Sequence, residues 1–329
     1  MSQTGLKLFA LHASHDFGQR VSDALGTPLA PHEEREFEDG EHKARPLISV
    51  RGADVYVLHS LYGDSAQSGN DKLLRLLFFI GALKDAAAAR ITAVVPYLAY
   101  ARKDRKSKPR DPVTTRYVAS LFEAVGTDVV MTLDVHNLAA FQNAYRCRTE
   151  HLEAAPLLVA HLATQFRHRE LVVVSPDAGG IKRAEHFRQQ FFSHTGNLPS
   201  AGFAEKYRSG GQVSGAMLVG EVSGKTVIIV DDLISRGTTA MRTALACRER
   251  GAACVVVAAS HGLFAADAGD VLADAALEKI LVTDSVPVLS GQSTLLEASK
   301  IERLSCAALF AQAIHRSHFD ESLTALAEG

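Results

Sequence analysis

The sequence predicts an α/β protein with mostly parallel sheets flanked by helices. Short apolar runs alternate along the chain with segments of helical periodicity, an order typical of parallel strands that are connected by helices. Polar or charged residues follow several of the apolar runs, and ligands bind at the carboxyl ends of strands in open sheets of this kind. The length of 329 residues and the apolar content of 47% predict about two domains, each with a core of its own.

Eight runs are predicted as strands because each is short, apolar and bounded by polar or turn-forming residues. They are Lys7–Ala10, Asp54–His59, Ile91–Pro96, Val129–Asp134, Leu171–Ser175, Thr226–Asp231, Cys254–Ser260 and Lys279–Thr283. Longer segments with apolar residues at helical spacing are predicted as helices. They are Asp71–Ala87, Thr114–Ala124, Ala155–Gln165, Ile181–Phe192, Thr239–Arg250 and Cys306–Ser317. The segment Phe203–Gly215 is rich in glycine, serine and charge, and we predict a mobile loop there.

The two halves of the chain share an outline that predicts two related domains. Ala86–Pro96 combines a helix end, a short link and a strand, and Arg248–His261 repeats this combination. We place the first domain at residues 1–150 and the second at 151–329, with the last helix packing back on the first domain.

The bulk properties exclude several classes of protein. A net charge of −2 is not the basic signature of a nucleic-acid-binding protein. The four cysteines are widely spaced and form no CxxC motif, which is typical of a reduced, cytoplasmic protein. The sequence shows neither a signal peptide nor an apolar run of membrane-spanning length, so we expect no membrane association.

The run from Val227 to Thr239 carries the strongest functional signal. Its apolar residues predict a buried strand, which ends at Asp231 and Asp232 and leads through a short turn into a helix. Backbone N–H groups at such a turn can bind an anion at the positive end of the helix dipole. The carboxylates are then placed to bind hydroxyl groups a few bonds from a phosphate, which describes a ribose 5-phosphate moiety. The alternative is an ordinary strand–turn–helix in which Asp forms the turn.

Other predicted strand ends carry further candidate residues. Six cations fall between Arg102 and Arg110, which predicts a polyphosphate-binding loop or, alternatively, a solvated basic loop. His136 and Asp177 could share a divalent metal with a nucleotide substrate, since Mg²⁺ takes few protein ligands. Alternatively, the histidine is a hydrogen-bonding residue and the aspartate a helix N-cap. The segment at 204–211 has the composition of a lid that closes on reacting phosphates, or of an exposed loop.

Together these segments resemble the ribose-phosphate pyrophosphokinase family, also called phosphoribosyl-pyrophosphate synthetases. The similarity runs from Lys7 to about Ile314, and its specificity comes from the order of the motifs. The motifs are Phe37–Glu41, Pro96–Lys106, Asp134–His136, Val172–Gly180 and the run at 227–239.

The resemblance implies two tandem phosphoribosyltransferase-like domains in a homo-oligomer. It implies an enzyme that transfers diphosphate from ATP to ribose 5-phosphate with Mg²⁺ as cofactor, with the nucleotide site near a subunit interface. The implied ATP-binding residues are Phe37, Asp39, Glu41, Arg102, Asp104 and Arg105. The implied ribose 5-phosphate-binding residues are Asp231, Asp232, Ser235, Arg236, Gly237, Thr238 and Thr239. The implied metal ligands are His136 and Asp177, and the implied catalytic cations are Lys206 and Arg208.

The turn at 235–239 departs from the family pattern, as do Tyr207 and the stretch Gly63–Gly69, and two other functions stay open. The turn at 235–239 reads Ser-Arg-Gly-Thr-Thr where the family usually has Asp-Thr-Gly-Gly-Thr, and we expect it to retain phosphate binding. One alternative is a non-catalytic, synthetase-like regulatory subunit, and the other is a phosphoribosyltransferase. The presence of Lys206, Arg208 and the implied metal ligands favours an enzyme over the first. The basic loop and the two-domain length favour a synthetase over the second.

Overall fold

The structure, a computed structural model, describes residues 5–209, 212–265, 267–287 and 300–326, and the side chains of residues 205–216 lie outside this description. The chain divides into two compact units. The first comprises the chain up to Glu153 together with Ala307–Leu326, and the second runs from Ala154 to Cys306.

The elements alternate as the sequence pattern predicts. The strands are β1 (Leu6–Ala10), β2 (His32–Glu36), β3 (His42–Pro46), β4 (Asp54–Leu58), β5 (Arg90–Val95), β6 (Val129–Leu133), β7 (Arg148–Leu152), β8 (Leu171–Ser175), β9 (Ser200–Ser209), β10 (Gln212–Val219), β11 (Thr226–Ile234), β12 (Cys254–Gly262), β13 (Lys279–Thr283) and β14 (Ile301–Leu304). The helices are α1 (His15–Leu25), α2 (Gly69–Asp85), α3 (Thr114–Ala124), α4 (Leu138–Ala144), α5 (Ala155–Phe166), α6 (Ile181–Thr195), α7 (Thr238–Glu249), α8 (Ala268–Leu272) and α9 (Ala307–His318). All eight predicted strands and six predicted helices are present, with ends shifted by at most three residues.

The first unit is built on a parallel sheet of strand order β1-β4-β5-β6-β7. Strands β4 and β6 are buried along their whole length, which explains why their sequences are largely apolar. Helix α2 begins with a capping box, in which Ser68 and Asp71 satisfy each other's backbone N–H groups. Beside the sheet, β2 and β3 form an antiparallel hairpin.

The C-terminal helix α9 belongs to the first unit and packs against α1. Phe310 of α9 lies edge-on to Phe17 of α1, with the ring centroids 5.8 Å apart. His318, at the end of α9, is 2.7 Å from the buried carboxylate of Asp54, which also accepts hydrogen bonds from Arg90. Both apolar and charged contacts therefore fix this helix to its unit.

The second unit contains a seven-stranded sheet of order β10-β9-β8-β11-β12-β13-β14. Every neighbouring pair is parallel except β9 and β10, which form an antiparallel edge. The prediction of a loop at Phe203–Gly215 is wrong for the described backbone, because its residues belong to this antiparallel pair. Strand pairing uses backbone hydrogen bonds, so a segment as polar as a loop can still form it.

Candidate functional site

The second unit has a point where the strand order reverses. The chain leaves β8 through α6 towards β9 on one side, and it leaves β11 through α7 towards β12 on the other. The carboxyl ends of β8 and β11 therefore flank a topological switch point, which is where open α/β sheets bind ligands. Asp177 follows β8 directly, and Asp231 and Asp232 lie on β11 beyond its last pairing with β8 at Ile229.

The acidic pair is paired with a cation that the sequence analysis did not identify. Arg183, in the first turn of α6, has its Nη1 atom 3.4 Å from Oδ1 of Asp231 and 3.4 Å from Oδ1 of Asp232. The backbone N–H of Asp232 also donates to Asp231. Burial, and after it the neighbouring carboxyl of Asp232, raises the pKa of Asp231 to about 8, while Arg183 opposes the shift. Burial has removed much of the water around these two carboxyl groups. Hydroxyl groups or a cation bound there would therefore stabilise them.

Strand β11 extends past the acidic pair to Ile234, so the prediction that the carboxylates end the strand is wrong. The extension pairs with β12, which also continues to Gly262. The turn into α7 then passes through Gly237, whose φ of +78° is the left-handed conformation that favours glycine. A Cβ atom at Gly237 would lie 2.5 Å from the side chain of Leu272, so the turn also needs glycine for space.

Helix α7 begins at Thr238 without a hydrogen bond from a capping side chain among the described residues. Its first N–H groups therefore present the usual features of an anion site, at the positive end of a helix of 12 residues. Thr239 is half-buried, and Thr238 and Arg236 are exposed. The Nε atom of Arg236 lies 3.5 Å from the carboxylate of Asp267.

Asp177 forms the N-cap of the short turn Ala178–Gly180. Its Oδ1 atom accepts hydrogen bonds from the backbone N–H groups of Gly179 and Gly180, at 3.0 and 3.2 Å. The cap function that the sequence left open is therefore present. The carboxyl group is half-buried at the switch point, so the cap does not exclude a metal-binding role.

The basic loop at 102–110 follows β5 in the first unit, and its cations differ in whether they form ion pairs. Lys103 is held by Asp111, with Nζ 2.6 Å from Oδ2. Arg102 and Arg105 are exposed, and within the described part of the chain neither has an ion pair or a hydrogen bond. Asp104 accepts a hydrogen bond of 2.6 Å from the side chain of Asn137. The two arginines are thus available for an anionic ligand.

Phe37–Glu41 is the tip of the β2–β3 hairpin. The backbone N–H of Phe37 donates to the carbonyl of Glu41 at 2.7 Å, and Gly40 turns the chain with a φ of +88°. The Phe37 ring is 42% exposed and lies under the guanidinium of Arg35. Asp39 and Glu41 are exposed at the same tip, so the hairpin presents one ring and two carboxylates together.

The last candidate residues are His136 in the first unit and Lys206 and Arg208 in the second. His136 is exposed on the short connection between β6 and α4, close to Asp134, which has a positive φ of 35°. The main chain there is held by a hydrogen bond from the N–H of Val135 to the His151 ring. Lys206 and Arg208 lie on β9, opposite Ala216 and Val213 of β10, and their side chains lie outside the described part of the structure.

Comparison with known proteins gives consistent matches along the chain. A family model for the N-terminal domain of ribose phosphate pyrophosphokinase matches residues 6–126, and one for a phosphoribosyl synthetase-associated domain matches residues 210–328. The ribose-phosphate pyrophosphokinase of Caldanaerobacter subterraneus is 36% identical over 98% of this chain and 97% of its own length. A Streptococcus pyogenes ribose-phosphate pyrophosphokinase 1 is 34% identical over 100% of this chain and 99% of its own.

A solved structure agrees with the fold. The crystal structure of phosphoribosylpyrophosphate synthetase from Mycobacterium smegmatis superposes with a TM-score of 0.86 at 32% identity, covering 96% of this chain and 100% of that one. These matches confirm the resemblance and the α/β fold that the sequence indicated. The chain is an enzyme of the ribose-phosphate pyrophosphokinase family.

Proposed function

We propose that this enzyme transfers diphosphate from ATP to O1 of ribose 5-phosphate. The products are 5-phosphoribosyl 1-diphosphate and AMP. The observation that carries the proposal is the position of Asp231 and Asp232 a few residues ahead of a helix N-terminus with no side-chain cap among the described residues, at the switch point of the second unit. We infer the class of substrate that binds there from membership of the family.

On the sugar side, the acidic pair would accept hydrogen bonds from the ribose hydroxyls. The N–H groups of the turn at 235–239 and of the first turn of α7 would bind the 5-phosphate. Gly237 supports this role because its conformation and the contact with Leu272 exclude a side chain there. Arg183 holds the acidic pair and is a further positioning residue for this site.

On the nucleotide side, Arg102 and Arg105 would bind the phosphates of ATP. Both guanidinium groups are exposed and have no competing ion pair among the described residues, and arginine binds phosphate oxygens in a bidentate way. Asp104 would act in the same site, oriented by its hydrogen bond from Asn137. The residues of the hairpin tip would contact the adenine ring of ATP bound to a neighbouring subunit of a homo-oligomer. They are Phe37, Asp39 and Glu41.

His136 and Asp177 would hold Mg²⁺. The half-buried carboxylate of Asp177 supplies oxygen, the ligand that Mg²⁺ prefers, and the ion would complete its shell with phosphate oxygens and water. When bound, the ion would neutralise charge on the phosphates of ATP.

The reaction needs positioning and charge neutralisation more than acid–base groups. The sugar O1 forms a bond to the β-phosphorus, and the bond from that phosphorus to the oxygen shared with the α-phosphate breaks. AMP leaves with that oxygen, and the proton of the O1 hydroxyl is released. Lys206 and Arg208 on β9 would stabilise the charge that develops on the transferred group.

The test measures AMP formed by the purified chain with ATP, ribose 5-phosphate and Mg²⁺. We expect AMP only when all three are present. Replacing ribose 5-phosphate with ribose is the matched control, because it removes the phosphate and keeps the hydroxyls. AMP formation no higher than in a reaction without sugar would refute the proposal and favour a regulatory subunit.

A further inference from the structure

A second group of potential metal ligands lies in the first unit, on residues that the proposed reaction does not use. His12 follows β1 in a short turn, and His32 and Glu34 lie on β2. One ligand atom from each of the three side chains can be chosen so that all three atoms lie within 4.8 Å of one another. Two imidazoles and one carboxylate form a donor set typical of zinc sites.

The strand geometry explains why these side chains meet. His32 and Glu34 are two residues apart on β2, so their side chains point to the same face. Glu33 between them points to the other face, where it is 2.7 Å from Arg45. The turn after β1 brings His12 to the same place across 22 positions of sequence.

The distances within the cluster suit a bound transition metal ion. His32 Nε2 is 2.9 Å from Glu34 Oε1, and His12 Nδ1 is 3.7 Å from the same oxygen. Ligands at about 2.1 Å from a tetrahedral ion are about 3.4 Å from one another, a value between the two observed distances. An ion can therefore be accommodated by small side-chain movements.

The cluster is held in place by packing and hydrogen bonds. The His32 ring packs against Phe9 and Phe79, with centroids 6.2 and 5.4 Å away. The side chains of His32 and Glu34 are almost fully buried. One Glu34 carboxylate oxygen accepts a hydrogen bond of 2.6 Å from the backbone N–H of His12 and lies 2.9 Å from the His32 ring. A buried carboxylate between two imidazoles is a favourable place for a divalent cation.

A third histidine, His59, interacts with the charge of Glu34. His59 is fully buried, and its Nε2 atom has no hydrogen-bond partner within the described part of the chain. Burial lowers the pKa of His59 to about 3, and the charge of Glu34 opposes this shift. The ring is therefore neutral, and it is not one of the three potential ligands of the cluster.

We propose that His12, His32 and Glu34 form a site for a first-row transition metal ion of the Zn²⁺ class. Imidazole ligands select such ions over Mg²⁺, which prefers oxygen. The site joins β1 to the base of the β2–β3 hairpin and uses none of the residues proposed to hold Mg²⁺. The side chain of His12, at 63% exposure, is the route of entry.

The experiment titrates Zn²⁺ into the full chain by calorimetry, after removal of metals with a chelator and in the presence of excess Mg²⁺. We expect one Zn²⁺ per chain with high affinity and a higher midpoint of thermal unfolding. His12→Ala and Glu34→Gln should each weaken this binding by about 100-fold or more, because each removes a direct ligand and the loss of an outer-shell partner alone costs roughly 10- to 100-fold. His12→Ala changes an exposed side chain, so its fold should be retained.

Matched controls keep the result specific. His15→Ala removes a neighbouring exposed histidine, and Glu33→Gln removes the carboxylate on the opposite face of β2; both should bind Zn²⁺ like the parent. His136→Ala should also retain this site. The proposal is overturned if the parent takes up no Zn²⁺ in excess Mg²⁺, if His12→Ala and Glu34→Gln bind like the parent, or if binding disappears in His136→Ala.

Discussion

Replacing Asp231 with asparagine should stabilise the ligand-free protein while weakening its reaction. The pKa of this carboxyl is raised to about 8 by burial and then by Asp232. In the unfolded chain an aspartate loses its proton at about pH 4. Between these two values the folded state holds one more proton than the unfolded state, so the free energy of unfolding falls as the pH rises. Asparagine does not titrate, and its side-chain oxygen can still accept the hydrogen bond from the Asp232 N–H.

The magnitude follows from the width of this window. One proton changes the free energy of unfolding by at most about 1.4 kcal/mol per pH unit, so a window of about four units sets a ceiling of about 6 kcal/mol. Arg183 lies 3.4 Å from both carboxylates and offsets part of their repulsion. We therefore expect Asp231→Asn to stabilise the protein by about 2 kcal/mol more at a pH of about 8 than at a pH of about 5.

Urea unfolding of the parent and of Asp231→Asn at several pH values between about 5 and 8 measures this difference. Asp270→Asn is the matched control, because it makes the same substitution at an exposed aspartate of the same unit. The same Asp231→Asn protein should bind ribose 5-phosphate more weakly. The two neighbouring carboxyl groups destabilise the free protein, but they are part of the proposed binding site. A stability difference that stays constant or shrinks as the pH rises would refute the reasoning.

Three further substitutions test other parts of the structure. Gly237→Ala places a Cβ atom 2.5 Å from Leu272 at a positive φ, so the KM for ribose 5-phosphate should rise about tenfold or more in steady-state assays; an unchanged KM would contradict the role of the turn. Asp54→Asn weakens the buried contact with Arg90 and should lower the free energy of unfolding by about 3 kcal/mol in urea; a loss under about 1 kcal/mol would place the pair among weak surface bridges. Lys206→Ala should lower kcat by about 10²- to 10³-fold with little change in KM, and a kcat near that of the parent would exclude a transition-state contact.

The sequence predicted the strands best where burial leaves little choice of residue. β12 is buried along its whole length and β8 likewise, and both begin with apolar runs typical of a covered parallel strand. The β2–β3 hairpin was missed because His32–Glu36 reads His-Glu-Glu-Arg-Glu, which has no apolar alternation. Its strand conformation depends on pairing with β3 and on the packing of β3 against α2, and neither is visible in a local pattern.

In the candidate site too, residues adjacent in sequence were predicted and a residue distant in sequence was missed. The acidic pair and the following glycine turn are adjacent in sequence, so their chemistry can be recognised there. Arg183 is 48 positions before Asp231 and reaches it only because β8 and β11 are neighbours in the sheet. A cation in the first turn of the helix after the Asp177 turn was the available signal, and it becomes informative only once the strand order is known.

The ion pair between Arg236 and Asp267 helps to explain how the altered turn at Ser235 and Arg236 should affect phosphate binding. Arg236 adds a positive charge beside the proposed phosphate site, but its exposed guanidinium is already 3.5 Å from that carboxylate. An exposed ion pair contributes about 1 kcal/mol or less, so a doubly charged phosphate can compete for this arginine. The donors that do not depend on side-chain identity are the N–H groups around Gly237, which has a positive φ, and at the start of α7, where no side-chain cap is present among the described residues. The altered turn should therefore change how strongly the sugar phosphate is held, while the backbone continues to determine where it binds.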